Sequence, residues 1–140
     1  MSLVDALMKI DAGKITADEK TQYEVERLSK ILGEPFILTL QEIPSKRFTE
    51  IQESAVKMDK RGRYKDTDVY GMKMRVVCEG IVAPDFGKDK ELMKKFGVAT
   101  PNELYEKLLK AGEVQEIYDA ISKLSGYDKD AKEDIDEVKN

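Results

Sequence analysis

The chain has 140 residues, with 28 acidic against 24 basic side chains, a formal net charge of −4 and no His. A single Cys excludes an intrachain disulfide and a thiolate zinc cluster, and the lack of His removes Ser-His-Asp triads, HExxH zinc sites and any imidazole base. The longest apolar runs are a few residues, far short of the ~20 that a membrane-spanning helix needs.

This length fits one domain with a modest core, and a hydrophobic fraction of 41% keeps the composition out of the disordered range. The first residues carry Asp5 and Lys9 and lack both a basic n-region and a long apolar stretch, so no secretory signal is read and the cytoplasm is the expected compartment. Cys78 sits among apolar residues and reads as a small buried hydrophobe.

Residues 1–15 read as a flexible arm. Leu3, Val4, Leu7, Met8 and Ile10 roughly share a helical face, but Gly13 closes it early. A single globular domain is expected over 16–126. Its first part carries two signals. Tyr23 to Leu28 alternates briefly, Gly33-Glu34-Pro35 is a turn, and Phe36 to Leu40 is rich in β-formers, which reads as a hairpin over about 22–42. Thr16 and Glu19 have capping-box spacing ahead of Leu28, Ile31 and Leu32, so a helix over 18–32 is the competing reading.

Ser45 reads as the cap of a helix over 46–57, with Phe48, Ile51, Ala55 and Met58 as its stripe. Residues 57–65 hold five cations and little to bury, and read as a loop. Asp66-Thr67-Asp68 offers cap oxygens for a helix over 68–80, expected to be the most buried one, and Pro84 to Gly87 is a turn. Asp89 caps a short helix over 89–96. Thr100-Pro101-Asn102-Glu103 is a strong start for a helix over 101–111, and Gly112 separates it from a last helix over 113–125. Residues 127–140, with six acids and three lysines, read as an acidic tail. The expected fold is therefore α+β and mostly α, a small N-terminal β-hairpin followed by a compact helical body.

Two motifs look chemical and fail on inspection. Gly80 to Asp89 has the wrong spacing for a phosphate loop, places Asp89 where Ser or Thr must meet magnesium, and loses a backbone donor at Pro84. Asp128 to Glu133 starts like a calcium loop but puts Lys132 at a ligand position and Glu133 where glycine must turn. The many carboxylates fall on predicted exposed faces. No catalytic, cofactor-binding or metal-ligating residue is assigned, no cofactor is called for, and no enzyme activity is expected.

Two binding surfaces remain. Lys57, Lys60, Arg61, Arg63 and Lys65, with Tyr64, could grip phosphates and stack on a base, although one aromatic and no RNP or zinc-finger frame makes a solvated charged loop the simpler reading. Leu104, Leu108, Leu109, Val114, Ile117 and Ile121 are many apolar residues for two helices. Most belong in the core, and the rest are candidates for a groove that takes a partner's amphipathic helix.

The order of features resembles the XkdN-like tail assembly chaperones of phages and phage-like elements with long tails. The matching places are Glu24-Val25-Glu26-Arg27-Leu28 ahead of Pro35-Phe36-Ile37-Leu38, and an apolar helix leading into Gly80-Ile81-Val82-Ala83-Pro84-Asp85-Phe86. Further matches are Leu92 through Phe96-Gly97-Val98 into Thr100-Pro101-Asn102-Glu103-Leu104, then Leu108 to Val114, and Ile121 to Tyr127. They cover about 20–127, with Val82 to Gly126 the more specific half.

The resemblance implies a non-catalytic protein of the bacterial cytoplasm that binds the tape measure protein and keeps it soluble until tail-tube subunits polymerise around it. Such chaperones are absent from the finished virion, and many are also made in a longer frameshifted form. Self-association is a further option, no membrane partner is expected, and nucleic acid is the alternative partner through 57–65. Six Met and a charged fraction of 37% suit an adaptable apolar surface on a soluble body.

Overall fold

The structure is a computed structural model described over residues 2–127; the tail at 128–140 and the calcium-like start at Asp128 lie outside the described residues. Helix α1 covers Leu3–Lys9 and α2 covers Ala12–Thr16. The Asp5 amide donates to Ser2 Oγ at 3.1 Å and the Ser2 amide to Asp5 Oδ2 at 3.4 Å, a reciprocal cap. Asp11 caps α2 by accepting from the Gly13 amide at 3.0 Å, so Gly13 lies inside a helical turn instead of ending the first one. Neither helix has a buried residue.

The ambiguous segment after the arm resolves into both of its readings in turn. Strand β1 (Lys20–Glu24) pairs antiparallel with β2 (Ile37–Gln41), with Tyr23 opposite Leu38 and Thr21 opposite Leu40. Between them, α3 spans Glu26–Leu32 and closes on Gly33 at φ +75. The expected hairpin strand near 22–28 is thus cut short at Glu24, because Val25 and Leu28, three apart, both turn into the core as a helix places them. The Phe36 amide donates to Ser29 Oγ at 2.8 Å and fixes the return into β2. Nor is the sheet a simple N-terminal hairpin: β5 (Ile81–Ala83) adds to the other edge of β2, giving the order β1-β2-β5 with a register break at Thr39/Leu40.

Helix α4 covers Ser45–Ala55, with Ser45 as its first helical residue and Pro44 in the cap position. Phe48, Ile51 and Ala55 are buried along its inner stripe. The segment 57–65, expected as a loop, is instead mostly hairpin: β3 (Val56–Met58) pairs with β4 (Tyr64–Thr67). The local chemistry explains this. Gly62 donates to the Asp59 carbonyl at 3.1 Å and has φ +78, and the Asp59 amide donates to the Arg63 carbonyl at 2.8 Å. The Asp59 carboxylate accepts from the Arg61 and Arg63 amides at 2.8 and 2.9 Å. That is a three-residue hairpin loop with a left-handed glycine bulge, in which every cation can point outward.

Helix α5 (Val69–Gly80), capped by Asp68, packs against α4, α7 and α8 and buries Met74, Val76, Val77 and Gly80. Short α6 (Lys90–Lys95) is capped by Asp89, and α7 (Pro101–Leu108) by Thr100. The last helix, α8 (Ala111–Leu124), runs through Gly112. The break between α7 and α8 lies at Leu109–Lys110, where Leu109 turns extended to bury its side chain and Glu113 Oε1 accepts from the Lys110 amide at 2.8 Å.

The core gathers Leu38 and Leu40 of the sheet with Phe48, Ile51, Val76, Val77, Ile117 and Ile121 of the helices, all at most 1% exposed. Each such side chain contributes about 1.5–3 kcal/mol of burial. Phe86, in the turn after β5, stands 5.8 Å from the Phe36 ring and 6.2 Å from the Tyr105 ring, and so pins that turn between the sheet and α7.

Candidate partner-binding surfaces

The six apolar residues nominated on α7 and α8 do not form one surface. Leu104, Leu109, Ile117 and Ile121 are interior, and Leu108 and Val114 are half-buried against the same core. Packing accounts for the burial of the four, in line with the expectation that most of the six belong in the core. α8 packs against β2 on one side and α5 on the other, which covers its inward stripe.

Exposed apolar groups occur elsewhere. On α1, Leu3, Val4, Leu7 and Met8 fall at i, i+1, i+4 and i+5, a single face, and stand between 61% and 84% exposed. Ile10 and Ile15 extend the row toward α2. The sequence held the signal in the spacing of these residues and in Ser2 and Asp5 at capping distance, but a short terminal segment reads as loose when nothing shows what it packs on. A smaller exposed set, Ile31, Leu32 and Ile37, lies around the end of α3 and the start of β2.

The five nominated cations are brought together on the β3–β4 hairpin, and all five are exposed. Arg63 has a carboxylate nearby, Asp59 Oδ2 at 4.0 Å; for the other four, no ion pair forms among the described residues. The register places Lys57 opposite Asp66, and Met58 opposite Tyr64 with Val56 opposite Thr67. One face of the hairpin is therefore an apolar row of Val56, Met58 and Tyr64. The cations occupy the other face and the tip.

Between α4 and α8 runs an open groove lined by Phe48, Gln52, Lys73, Tyr118 and Tyr127. Lys73 Nζ donates to Gln115 Oε1 at 2.6 Å and lies 5.9 Å from the Tyr118 ring centre. Ser122 Oγ, on the same wall, is buried without a partner among the described residues.

The titratable groups with displaced proton affinities serve packing. Burial, helped by the carboxylates of Glu106 and Glu79, pushes the Cys78 thiol up to about 12. Burial also raises Tyr105 to about 12 and raises Tyr23, whose hydroxyl donates to the Glu116 carboxylate. A nucleophile needs the opposite shift. Among the described residues no cluster of three or more His, Cys, Asp or Glu could hold a metal, and no helix is long and apolar enough to cross a membrane. The segment 80–89 forms β5, a turn and the cap of α6, and presents no phosphate cradle.

No curated relative matches the chain. Among solved structures, the crystal structure of the protein yqbn matches with a TM-score of 0.55 at 21% identity, covering 79% of this chain and 88% of that one. At that identity the likeness speaks for the fold. The family model described as phage XkdN-like tail assembly chaperone protein matches residues 4–139, nearly the whole chain, and the chain belongs to that family.

Proposed function

We infer that the chain is a non-catalytic holding protein of the bacterial cytoplasm that binds the tape measure protein and keeps it soluble during tail assembly. The observation that carries this reading is the α1 face. A helix with its own reciprocal cap carries Leu3, Val4, Leu7 and Met8 in solvent and has no buried residue. Such a face is stable on a soluble protein chiefly as a binding element, and its geometry suits pairing with the amphipathic helices of a long ruler protein. The acidic, highly charged remainder supplies solubility to the complex.

The test is co-expression with a tape measure protein from the same genome. The expected result is a soluble, co-purifying pair, with the partner insoluble when expressed alone. A partner that stays insoluble and unbound in the presence of the full chain removes the reading.

A second reading, a nucleic-acid-binding regulator, is favoured by one observation, the five exposed cations Lys57, Lys60, Arg61, Arg63 and Lys65 on a single hairpin. It predicts binding that falls steeply with salt and is abolished by charge reversal there.

A further inference from the structure

We propose that the basic hairpin β3–β4 is the docking surface for the chain's own acidic segment 128–140. Over Val56–Thr67 the hairpin holds five cations against two carboxylates, and the segment 128–140 holds six acids against three lysines, so the two are opposite in sign and equal in net charge. Of the two hairpin carboxylates, Asp59 is engaged by the turn amides. The hairpin also offers the apolar row Val56, Met58 and Tyr64, and the segment carries Ile135 and Val138 three positions apart among its acids. Charge and apolar content are matched on both sides.

The point of attachment fits. The Tyr127 ring stands 4.9 Å from the Phe48 ring on α4, and α4 runs straight into β3. From Phe48 to Val56 the helical rise is about 12 Å, and the hairpin extends about 20 Å further to its tip. Thirteen residues follow Tyr127. They reach about 20 Å as a helix and about 43 Å when extended. The base of the hairpin is within range of either form, and the tip within range of the extended one.

A tethered segment meets the hairpin at an effective concentration on the order of millimolar, well above a free acidic partner at micromolar levels. This favours the chain's own segment over a free nucleic acid. Docked, the segment covers the apolar row and neutralises the cations, so the hairpin is screened from stray polyanions. The inference does not depend on the tape measure assignment.

The experiment attaches a nitroxide to Asn140→Cys in a full-length Cys78→Ala background and follows the backbone amide signals. Amides of 57–65 are expected to lose intensity at about 0.05 M salt and recover at about 0.5 M. They should also recover in the Lys60→Glu/Arg61→Glu/Arg63→Glu variant, while signals from α5 and α8 stay in place. In parallel, the unlabelled natural chain is compared with a variant whose six tail acids are changed to amides, and the hairpin amides should differ at low salt and coincide at high salt. That comparison needs no engineered cysteine. Hairpin signals untouched by the nitroxide at low salt overturn the proposal, as does broadening that survives charge reversal. Broadening of an isotope-labelled chain by a separate spin-labelled chain assigns the surface to a second copy instead. Unbroadened hairpin amides that shift on adding a single-stranded oligonucleotide assign it to nucleic acid.

Discussion

Arg27 and Glu113 form a two-pronged ion pair that ties α3 to the start of α8. Arg27 Nε donates to Glu113 Oε2 at 3.1 Å and an Arg27 terminal nitrogen donates to Glu113 Oε1 at 2.9 Å. That terminal nitrogen also donates to the Leu108 carbonyl at 2.6 Å, while Glu113 accepts from the Lys110 amide. One pair thus satisfies the end of α7, the start of α8 and the α3 side chain.

A pH dependence follows from Glu113. Partial burial pushes its carboxyl up, but the Arg27 hydrogen bond and the Lys110 amide outweigh that, so the folded value lies below the ordinary 4.5. A carboxyl depressed by folding contributes stability above its unfolded value and loses it as pH falls through the folded one. The gap in unfolding free energy between the natural chain and Glu113→Gln should therefore narrow on going from about pH 6 to about pH 3 in denaturant titrations. A gap that is constant across that range would show the carboxylate to be energetically idle.

Helices α5 and α8 approach closely at Gly80 and Ile121. A Cβ on Gly80 would stand 2.7 Å from Ile121 Cγ1 and nearer still to Cδ1, inside van der Waals contact. Ordinary helix propensity favours Ala over Gly, so the sign of Gly80→Ala is diagnostic. Overpacking should win and cost about 1–3 kcal/mol. Ile121→Val in the Gly80→Ala background should then cost less than it does alone, a coupling readable from a double-mutant cycle.

What the sequence revealed depended on how local the physics was. Asp89, Thr100 and Pro101 are punctuation that acts within one turn, and the helices they start lie where the residues place them. The 16–43 segment needed tertiary information, since only the burial of Val25 and Leu28 decides that helix follows strand there. Strand β5 is three residues long and exists because β2 offers it an edge, which no local pattern announces. The β3–β4 hairpin was legible: Asp59-Lys60-Arg61-Gly62 carries the bulge signal, and its five cations masked it. On α7 and α8, periodicity marks an apolar face without saying what covers it; four of the six residues are interior, as most were expected to be, and Leu108 and Val114 are half-buried.

The interior placement of those four residues is testable through stability. Leu104→Ala and Ile117→Ala each empty a site that is 0% exposed, and should cost about 2–5 kcal/mol. A loss under about 0.5 kcal/mol, the range of ordinary surface substitutions, would return these residues to the surface.

Cys78, half-buried against the same core, offers a chemical probe of its packing. With its thiol pushed to about 12 against a usual 9.0, the thiolate fraction in the folded chain is lower by roughly a thousandfold. Alkylation by iodoacetamide at mild pH should be slow in the native chain and rise sharply in denaturant. Fast modification without denaturant would place the thiol in solvent.

The arm separates folding from function. Leu3→Ser and Leu7→Ser alter residues that are 84% and 61% exposed on a helix with nothing buried, so the denaturation midpoint should move little, within about 0.5 kcal/mol. The same pair of changes removes half of the α1 apolar face, and recovery of soluble tape measure protein on co-expression should drop. Ile117→Ala is the counterweight, because it weakens the fold while leaving the arm intact, and the surviving folded fraction should still capture the partner. If the arm variants capture the partner as well as the natural chain does, the holding surface lies elsewhere, and the exposed set of Ile31, Leu32 and Ile37 is the next face to alter.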